Sequence, residues 1–248
     1  MSMIHQLFPA TSADTSELCD FLNANKSGTF LNDCTITREV ISPGLEGLYI
    51  TQEDPNNPGY YNKISIFTYY GGSNHRTGQY EYLDSEQTVI RTWVTPDASN
   101  NQNRRIKELM FCDNGFMLTM HVGTNSTAFC NIVIITIDSN GNLILMIPSS
   151  STMPTQTGIP TSGYHIVSNT TVSSQALTPA AIIYGTNRTC LAPIAVPFSE
   201  DPTAYLPYAW VASQTQLSVL SNPAFTGVRI NNEDYITNGM IYIKDSNE

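Results

Sequence analysis

The residue types that carry out catalysis are present in this 248-residue chain, but not at the spacings of known catalytic motifs. The histidines lie far apart, at positions 5, 75, 121 and 165, and no nucleophile elbow, phosphate loop or zinc helix is found. Adjacent acids such as Glu200 and Asp201 point to opposite faces of a strand, so they cannot flank one bond. The sequence therefore predicts no catalytic residue and a protein that is not an enzyme.

One segment, Asp138 to Asn142 (DSNGN), has the residue types of a metal site. A calcium loop of the EF-hand type needs a bidentate carboxylate eleven positions after its first Asp, but position 149 is Ser. Asn-Gly between two β-branched runs is instead typical of a tight hairpin turn. The five cysteines include no Cys-x-x-Cys pair, which favours buried free thiols over a metal site or a disulfide framework. We therefore predict a turn, with no metal and no cofactor.

Aromatic residues crowd the first half of the chain beside Asn and Gln. Tyr80 and Tyr82 are two residues apart and share one face of a strand, and Trp93 lies in the next predicted strand. Such a row can stack on sugar rings, but it can also form cross-strand pairs that stabilise a sheet. We favour the second interpretation, and a glycan-binding site at Tyr80, Tyr82 and Trp93 remains the alternative.

The elements that position these residues are mostly short strands. Asp14 and Glu17 form a capping box before an apolar helical face, which predicts one helix over residues 15–25. Later apolar runs are separated by Gly, Asn, Asp and Pro turns, without crossover helices. We therefore predict an all-β fold, an antiparallel β-sandwich or barrel-like domain with one short N-terminal helix, followed by a smaller β-domain.

The two arms of the hairpin at 131–147 are apolar at nearly every position, so both faces of these strands should be covered. The cover is either a second sheet or a neighbouring subunit, and we predict interface residues at Ile134 and Ile194 in a ring or trimer. A Ser/Thr/Pro/Gly-rich stretch follows the hairpin. The predicted organisation is a domain over 1–148, a linker over 149–162 and a smaller β-domain over 163–248.

Charge and hydropathy restrict the partners. The net charge of −10 repels phosphate backbones, which excludes nucleic acid as the main partner. No stretch reaches the roughly 18 apolar residues of a membrane span, so no membrane partner is expected. The first residues, MSMIHQLFPATSAD, lack the pattern of a signal peptide, which predicts synthesis in the cytoplasm without one.

Two C-terminal segments, LAPIAVPFSEDPTAYLPYAWV and INNEDYITNGMIYIKD, resemble the C-terminal portion of small structural proteins of tailed bacteriophages. The resemblance covers about the last third of the chain. It implies a β-rich, non-enzymatic subunit of a head, collar, tail or fibre, located in the virion and made in the host cytoplasm. The implied partners are copies of the chain itself and other virion proteins. A host glycan is the partner under the alternative interpretation.

Overall fold

The computed structural model describes residues 3–8, 15–69, 78–94, 104–122, 129–148, 164–169, 172–173, 191–195, 205–212, 226–230, 232–237 and 241–245. These residues form one helix, α1 (Thr15–Asn25), and 17 strands. The strands are β1 (Ile4–Leu7), β2 (Cys34–Ser42), β3 (Leu45–Glu53), β4 (Tyr61–Tyr69), β5 (Gly78–Leu83), β6 (Val89–Val94), β7 (Arg104–Cys112), β8 (Gly115–Val122), β9 (Phe129–Ile137), β10 (Leu143–Pro148), β11 (Tyr164–Val167), β12 (Val172–Ser173), β13 (Leu191–Ala195), β14 (Tyr205–Ala212), β15 (Thr226–Ile230), β16 (Glu233–Thr237) and β17 (Ile241–Lys244). The predicted all-β fold with one short N-terminal helix is confirmed.

Helix α1 has the bounds that the sequence predicted. Leu18 and Leu22, one turn apart, are fully buried and attach the helix to the sheet through the main apolar core. Its first turn is capped from a distant strand, because Glu46 Oε2 accepts hydrogen bonds from the Thr15 amide at 3.2 Å and the Thr15 hydroxyl at 2.6 Å. Asp14, the predicted cap, lies outside the described residues.

The larger sheet contains strands β1 to β12 and folds into two facing leaves. The front leaf has the order β2-β3-β4-β5-β6, and the middle leaf has the order β7-β8-β9-β10-β11-β12, with β1 added to β7. The leaves join where Tyr69 of β4 pairs with Arg104 of β7. Their inner faces share one apolar core, which includes Ile50 and Ile64 from the front leaf and Phe116 from the middle leaf. This arrangement is a β-sandwich.

A second sheet, the back sheet, has the order β13-β14-β17-β16-β15 and covers the other face of the middle leaf. Ile134 and Met146 of the middle leaf share a buried cluster with Ile236 and Ile243 of the back sheet. The two layers approach closely at Gly115, where an added Cβ would lie 3.0 Å from Ile243 Cδ1. The described residues therefore form three β layers, and the middle one is apolar on both faces.

Strand β1 attaches the N-terminal segment to all three layers. It pairs antiparallel with β7, and Ile4 packs against the core between the front and middle leaves. Met3 packs on the opposite side, where its terminal methyl would lie 2.9 Å from a Cβ added to Gly227 of the back sheet. A side-chain hydrogen bond of 2.6 Å between His5 Nε2 and Glu108 Oε1 also connects β1 to β7.

The predicted division of the chain at residue 163 does not match the sheet. β11 pairs with β10, and β12 pairs with β11, so both strands extend the larger sheet. Strands β13 to β17 form a sheet of their own. The predicted linker over 149–162 lies outside the described residues.

The turn between β9 and β10 is a bulged hairpin, as predicted. The Gly141 amide donates to the Asp138 carbonyl at 3.1 Å, and the Asp138 amide donates to the Asn142 carbonyl at 3.0 Å. Gly141 has a φ of +83°, which a glycine adopts without steric cost. Asp138 Oδ1 accepts from the amides of Asn140 at 2.8 Å and Asn142 at 2.9 Å, so it closes the loop on itself.

Candidate functional site

Among the described residues, a group of buried polar side chains lies where the β3–β4 loop, the β9–β10 turn and the end of β11 meet. We call this group the amide network. Its members are Gln52, Asp54, Asn62, Tyr80, Tyr82, Asn142 and Asn169. Most of these side chains are buried, so the network needs internal partners for its donors and acceptors.

Asn62 lies at the centre of the network and is fully buried. Its Nδ2 donates to Asn142 Oδ1 at 3.0 Å and to Gln52 Oε1 at 3.4 Å, and its Oδ1 accepts from the Tyr80 hydroxyl at 2.7 Å. Gln52 extends the network to the hairpin turn, because its Nε2 donates to the Gly141 carbonyl at 2.8 Å. Its Oε1 also accepts from the Leu143 amide at 3.0 Å. These bonds hold the front leaf against the middle leaf at this end.

Asp54 is the buried carboxylate of the network, with 3% of its surface exposed. Oδ1 accepts from the Asn56 amide at 2.9 Å. Oδ2 accepts from the Tyr82 hydroxyl at 2.7 Å and from Asn169 Nδ2 at 3.0 Å. Both oxygens are therefore occupied by donors from the chain itself, which offsets the desolvation of the carboxylate. The Arg91 guanidinium donates to the Asn169 carbonyl at 2.9 Å and fixes this edge of the network.

Tyr80 in the network and Asp138 beside it both have shifted pKa values. Burial raises the pKa of Tyr80 well above its ordinary value, and the nearby Asp138 and Asp54 carboxylates raise it further. Burial also raises the pKa of Asp138, while hydrogen bonds from the Asn142 and Asn140 amides lower it. Tyr80 therefore remains a neutral hydroxyl donor at neutral pH. Because the pKa of Tyr80 is shifted away from neutrality, its hydroxyl is a poor general base.

The described thiols also have pKa values that burial shifts away from neutrality. Cys19, Cys34 and Cys112 are free and buried, which agrees with the predicted free thiols at these three positions. Burial raises the pKa of Cys34 to about 12 and that of Cys112 to about 12. The thiolate is the nucleophilic form of cysteine, so these two side chains are inert at neutral pH.

The predicted glycan-binding residues share one face, but that face points into the sandwich. Tyr80 has 1% of its surface exposed and is part of the core, so the prediction that it binds a glycan is wrong. Trp93 packs against the same core, and its ring centroid is 5.5 Å from that of His165. Tyr82 is half-buried and stacks on Tyr60 at a centroid distance of 5.8 Å. Cross-strand aromatic pairing, the favoured interpretation, describes Tyr80 and Trp93, which are paired residues of β5 and β6.

The predicted interface residue Ile134 is also placed differently. Its side chain is fully buried between the middle leaf and the back sheet of a single chain. The second sheet, one of the two covers that the sequence allowed, therefore takes the position expected for a neighbouring subunit. This corrects the interface assignment of Ile134. The side chain of Ile194 lies outside the described residues.

Large exposed apolar side chains lie instead on strands with only one described neighbour. They belong to β1, β2 and β6. They are Leu7 (62% exposed), Val40 (59%), Ile41 (43%), Val89 (45%), Ile90 (47%) and Val94 (38%). Sequence reasoning missed them because short aliphatic pairs such as Val89-Ile90 do not reveal which strands end a sheet.

Comparison of the chain with protein-family models, with curated proteins and with solved structures finds no match. Within the described parts of the chain, no group of three or more His, Cys, Asp and Glu side chains is arranged to hold a metal ion. The described helix is too short and too polar to cross a membrane. The arrangement of the described side chains is therefore the basis for assigning a function.

Proposed function

We propose that the protein is a non-enzymatic structural subunit of a bacteriophage virion, which assembles with copies of itself and with other virion proteins through β-rich surfaces. The bacteriophage context rests on the sequence resemblance of the C-terminal third. The observation that carries the assembly role is the exposure of aliphatic side chains on the strands that end the described sheets, β1, β2 and β6. The proposed location is the virion, after synthesis in the host cytoplasm.

The β2–β3 hairpin illustrates the first kind of assembly surface. Its tip, residues 40–44, is exposed at every position and carries Val40 and Ile41 before the Pro43-Gly44 turn. Covering one such aliphatic side chain completely contributes roughly 1.5–3 kcal/mol, so a partner that covers both would gain appreciable affinity. Edge strands also offer unpaired backbone donors and acceptors, which a soluble monomer usually protects.

The amide network favours a structural role over catalysis. The hydrogen bonds of Asn62 and Asp54 are made within the chain, and they connect separate strands and turns. The tyrosines and thiols with shifted pKa values are held in their neutral forms. Such groups stabilise and specify a fold but do not supply a nucleophile or a base.

The assembly role is tested by measuring mass in solution over a wide concentration range, with size-exclusion chromatography and light scattering. We expect the wild-type chain to form oligomers and the Val40→Asp variant to form fewer. Thr37→Asp is the matched control, because Thr37 is an exposed residue of the same strand and has little apolar surface to cover. A wild-type chain that stays monomeric, together with its absence from purified particles of the source, would contradict the proposal.

One observation favours glycan binding as the second candidate. Tyr60 and Tyr82 stack beside Asn57, whose Nδ2 donates to the Tyr82 hydroxyl at 3.2 Å, and Asn57 is exposed. A stacked, half-exposed tyrosine beside an exposed amide side chain is a chemically suitable platform for a sugar ring. Titration with a panel of oligosaccharides tests this alternative. Binding that Tyr60→Ala abolishes and that Tyr49→Ala leaves intact would favour it.

A further inference from the structure

Strand β6 ends the front leaf. Among the described residues it is hydrogen-bonded only to β5, which leaves its other edge without a partner strand. Val89, Ile90 and Val94 are exposed on this strand. Its sequence, VIRTWV, has no Pro, no Lys and no acidic residue, which are three of the features that commonly protect an edge strand.

The apolar residues of β6 share one face of the leaf. Val89 pairs with Leu83, Thr92 with Glu81 and Val94 with Gln79, so these residues point to the outer face, away from the core. The register shift between Tyr82 and Leu83 leaves Ile90 as the extra residue of a bulge. Ile90 is two residues before Thr92 and follows the same alternation. The bulge therefore concentrates Val89, Ile90 and Val94 into one apolar stripe at the edge.

We propose that β6 is a self-association edge, which pairs antiparallel with β6 of a second copy about a two-fold axis at Thr92. The inference rests on the proposed assembly function and names the partner and the contact. When two antiparallel copies are related by a two-fold axis, their outer faces lie on the same side of the joined sheet. Each residue must then pair with one from the same face, so the axis passes beside one residue that pairs with its own copy. A centre at Arg91 would oppose two guanidinium groups, which is unfavourable.

A centre at Thr92 makes the strand complementary to itself. Ile90 of each copy then lies opposite Val94 of the other, and the two aliphatic stripes become continuous across the axis. On the inner face, Arg91 lies opposite Trp93 of the second copy. Each side chain keeps its contact within its own chain, Arg91 with the Asn169 carbonyl and Trp93 with the His165 ring. A centre at Trp93 would leave Ile90 without a described partner, so Thr92 is the register that uses the described strand most fully.

Disulfide cross-linking tests whether Thr92 of the two copies lies at the centre of the pairing. Under the Thr92 register, residue 92 faces its own copy with Cβ atoms about 4.5–5.5 Å apart, close to the range that a disulfide bridges. Thr88, an exposed residue four positions earlier, would be offset from its own copy by eight positions, or about 26 Å. We expect Thr92→Cys to form a covalent dimer under mild oxidation and the matched control Thr88→Cys to remain monomeric. Of the native cysteines, Cys19, Cys34 and Cys112 are free and buried.

A second variant tests the same edge without a cross-link. Ile90 is 47% exposed, so Ile90→Lys should leave the fold intact while placing a charge in the proposed contact. We expect light scattering to report at least a tenfold weaker dimer, with unchanged circular dichroism. If Ile90→Lys associates like the wild type and Thr92→Cys cross-links no faster than Thr88→Cys, the β6 contact is wrong. Oligomers that persist in that case would still support assembly through another surface, while monomers throughout would contradict both proposals.

Discussion

At the scale of single residues, the amide network follows from a limit on burial. A buried amide or carboxylate destabilises the fold when its donors and acceptors lack partners, because an unsatisfied group costs about 1–3 kcal/mol. Asn62 meets this condition with three bonds to three different strands or turns. Its side chain therefore specifies how the leaves are aligned, which an aliphatic residue in the same place would not do.

Removal of one hydroxyl measures this contribution. Tyr80→Phe keeps the ring in the core but deprives Asn62 Oδ1 of its donor, so we expect the free energy of unfolding to fall by about 1–3 kcal/mol. Tyr49→Phe is the control, because the Tyr49 hydroxyl makes a 3.3 Å bond to the exposed Glu39. Urea denaturation should report a smaller loss for Tyr49→Phe. Equal losses would contradict a special role for the network.

The raised pKa of Asp138 predicts a pH dependence with a definite sign. A folded state in which the pKa of an acid is raised binds protons more readily than the unfolded state, so stability decreases as the pH rises through the titration of that acid. Asp138→Asn retains an oxygen that can accept from the turn amides but does not ionise. Relative to wild type, we expect its free energy of unfolding to rise between pH 3 and pH 7. A difference that is constant over this range would contradict the assignment.

At the scale of elements, two hairpin turns have the same hydrogen bonds but different residues at the strained position. In the β5–β6 turn, the Asp84 amide donates to the Thr88 carbonyl and the Gln87 amide donates to the Asp84 carbonyl, both at 3.0 Å. The β9–β10 turn repeats this pattern with Gly141 in place of Gln87. Gln87 has a φ of +62°, which a residue with a Cβ adopts at a steric cost.

Exchange of the residue types at these two positions should have asymmetric effects. Gly141→Ala places a Cβ at a φ of +83°, so we expect a loss of about 1–2 kcal/mol in the free energy of unfolding. Gln87→Gly relieves the same kind of strain but makes the unfolded chain more flexible, so it should change stability by less than about 1 kcal/mol. Thermal and urea denaturation of both variants test this comparison. A larger loss for Gln87→Gly than for Gly141→Ala would contradict it.

The sequence predicted a secondary-structure element well where residues within and beside that element define it. The helix bounds at 15–25 agree with α1, because apolar periodicity and flanking polar residues define this helix. Strand β14 was not predicted, since Pro207 within it removes a backbone donor and normally argues against a strand. β1 is only four residues long and depends on the edge of β7 for its conformation. Neither β14 nor β1 is therefore defined by a signal within its own sequence.

The candidate site was less predictable for a similar reason. Asn142 and Asn169 are far in sequence from Asp54 and Asn62, and each of these residues alone is typical of a loop or turn. They meet because β9, β10 and β11 face β3, β4 and β5 across the sandwich. Only tertiary topology brings such residues together. No spacing rule within the chain could identify the network.

At the scale of the whole molecule, the layer order determines which apolar residues stabilise the fold and which are available to partners. Ile134 is fully buried between two layers, whereas Ile90 is 47% exposed at an edge. Placing Asp at Ile134 buries an unpaired charge, which usually exceeds the net stability of a domain. We expect Ile134→Asp to lose the cooperative thermal transition and Ile90→Asp to keep it. A folded Ile134→Asp variant would contradict the three-layer arrangement.

The contact between the middle leaf and the back sheet also has a consequence for synthesis on the ribosome. The described apolar residues on that side of the middle leaf are complete once Ile166 has been made, but their described partners in the back sheet begin at Leu206. At translation rates of roughly 5–20 residues per second, this face waits for seconds in the nascent chain without that cover. A polypeptide released in that interval would present Met117, Ile134 and Ile144 to solvent. Chaperone occupancy should therefore be highest on nascent chains stalled after Ile166 and before Leu206 has been made. It should fall on longer chains from which the back sheet has emerged.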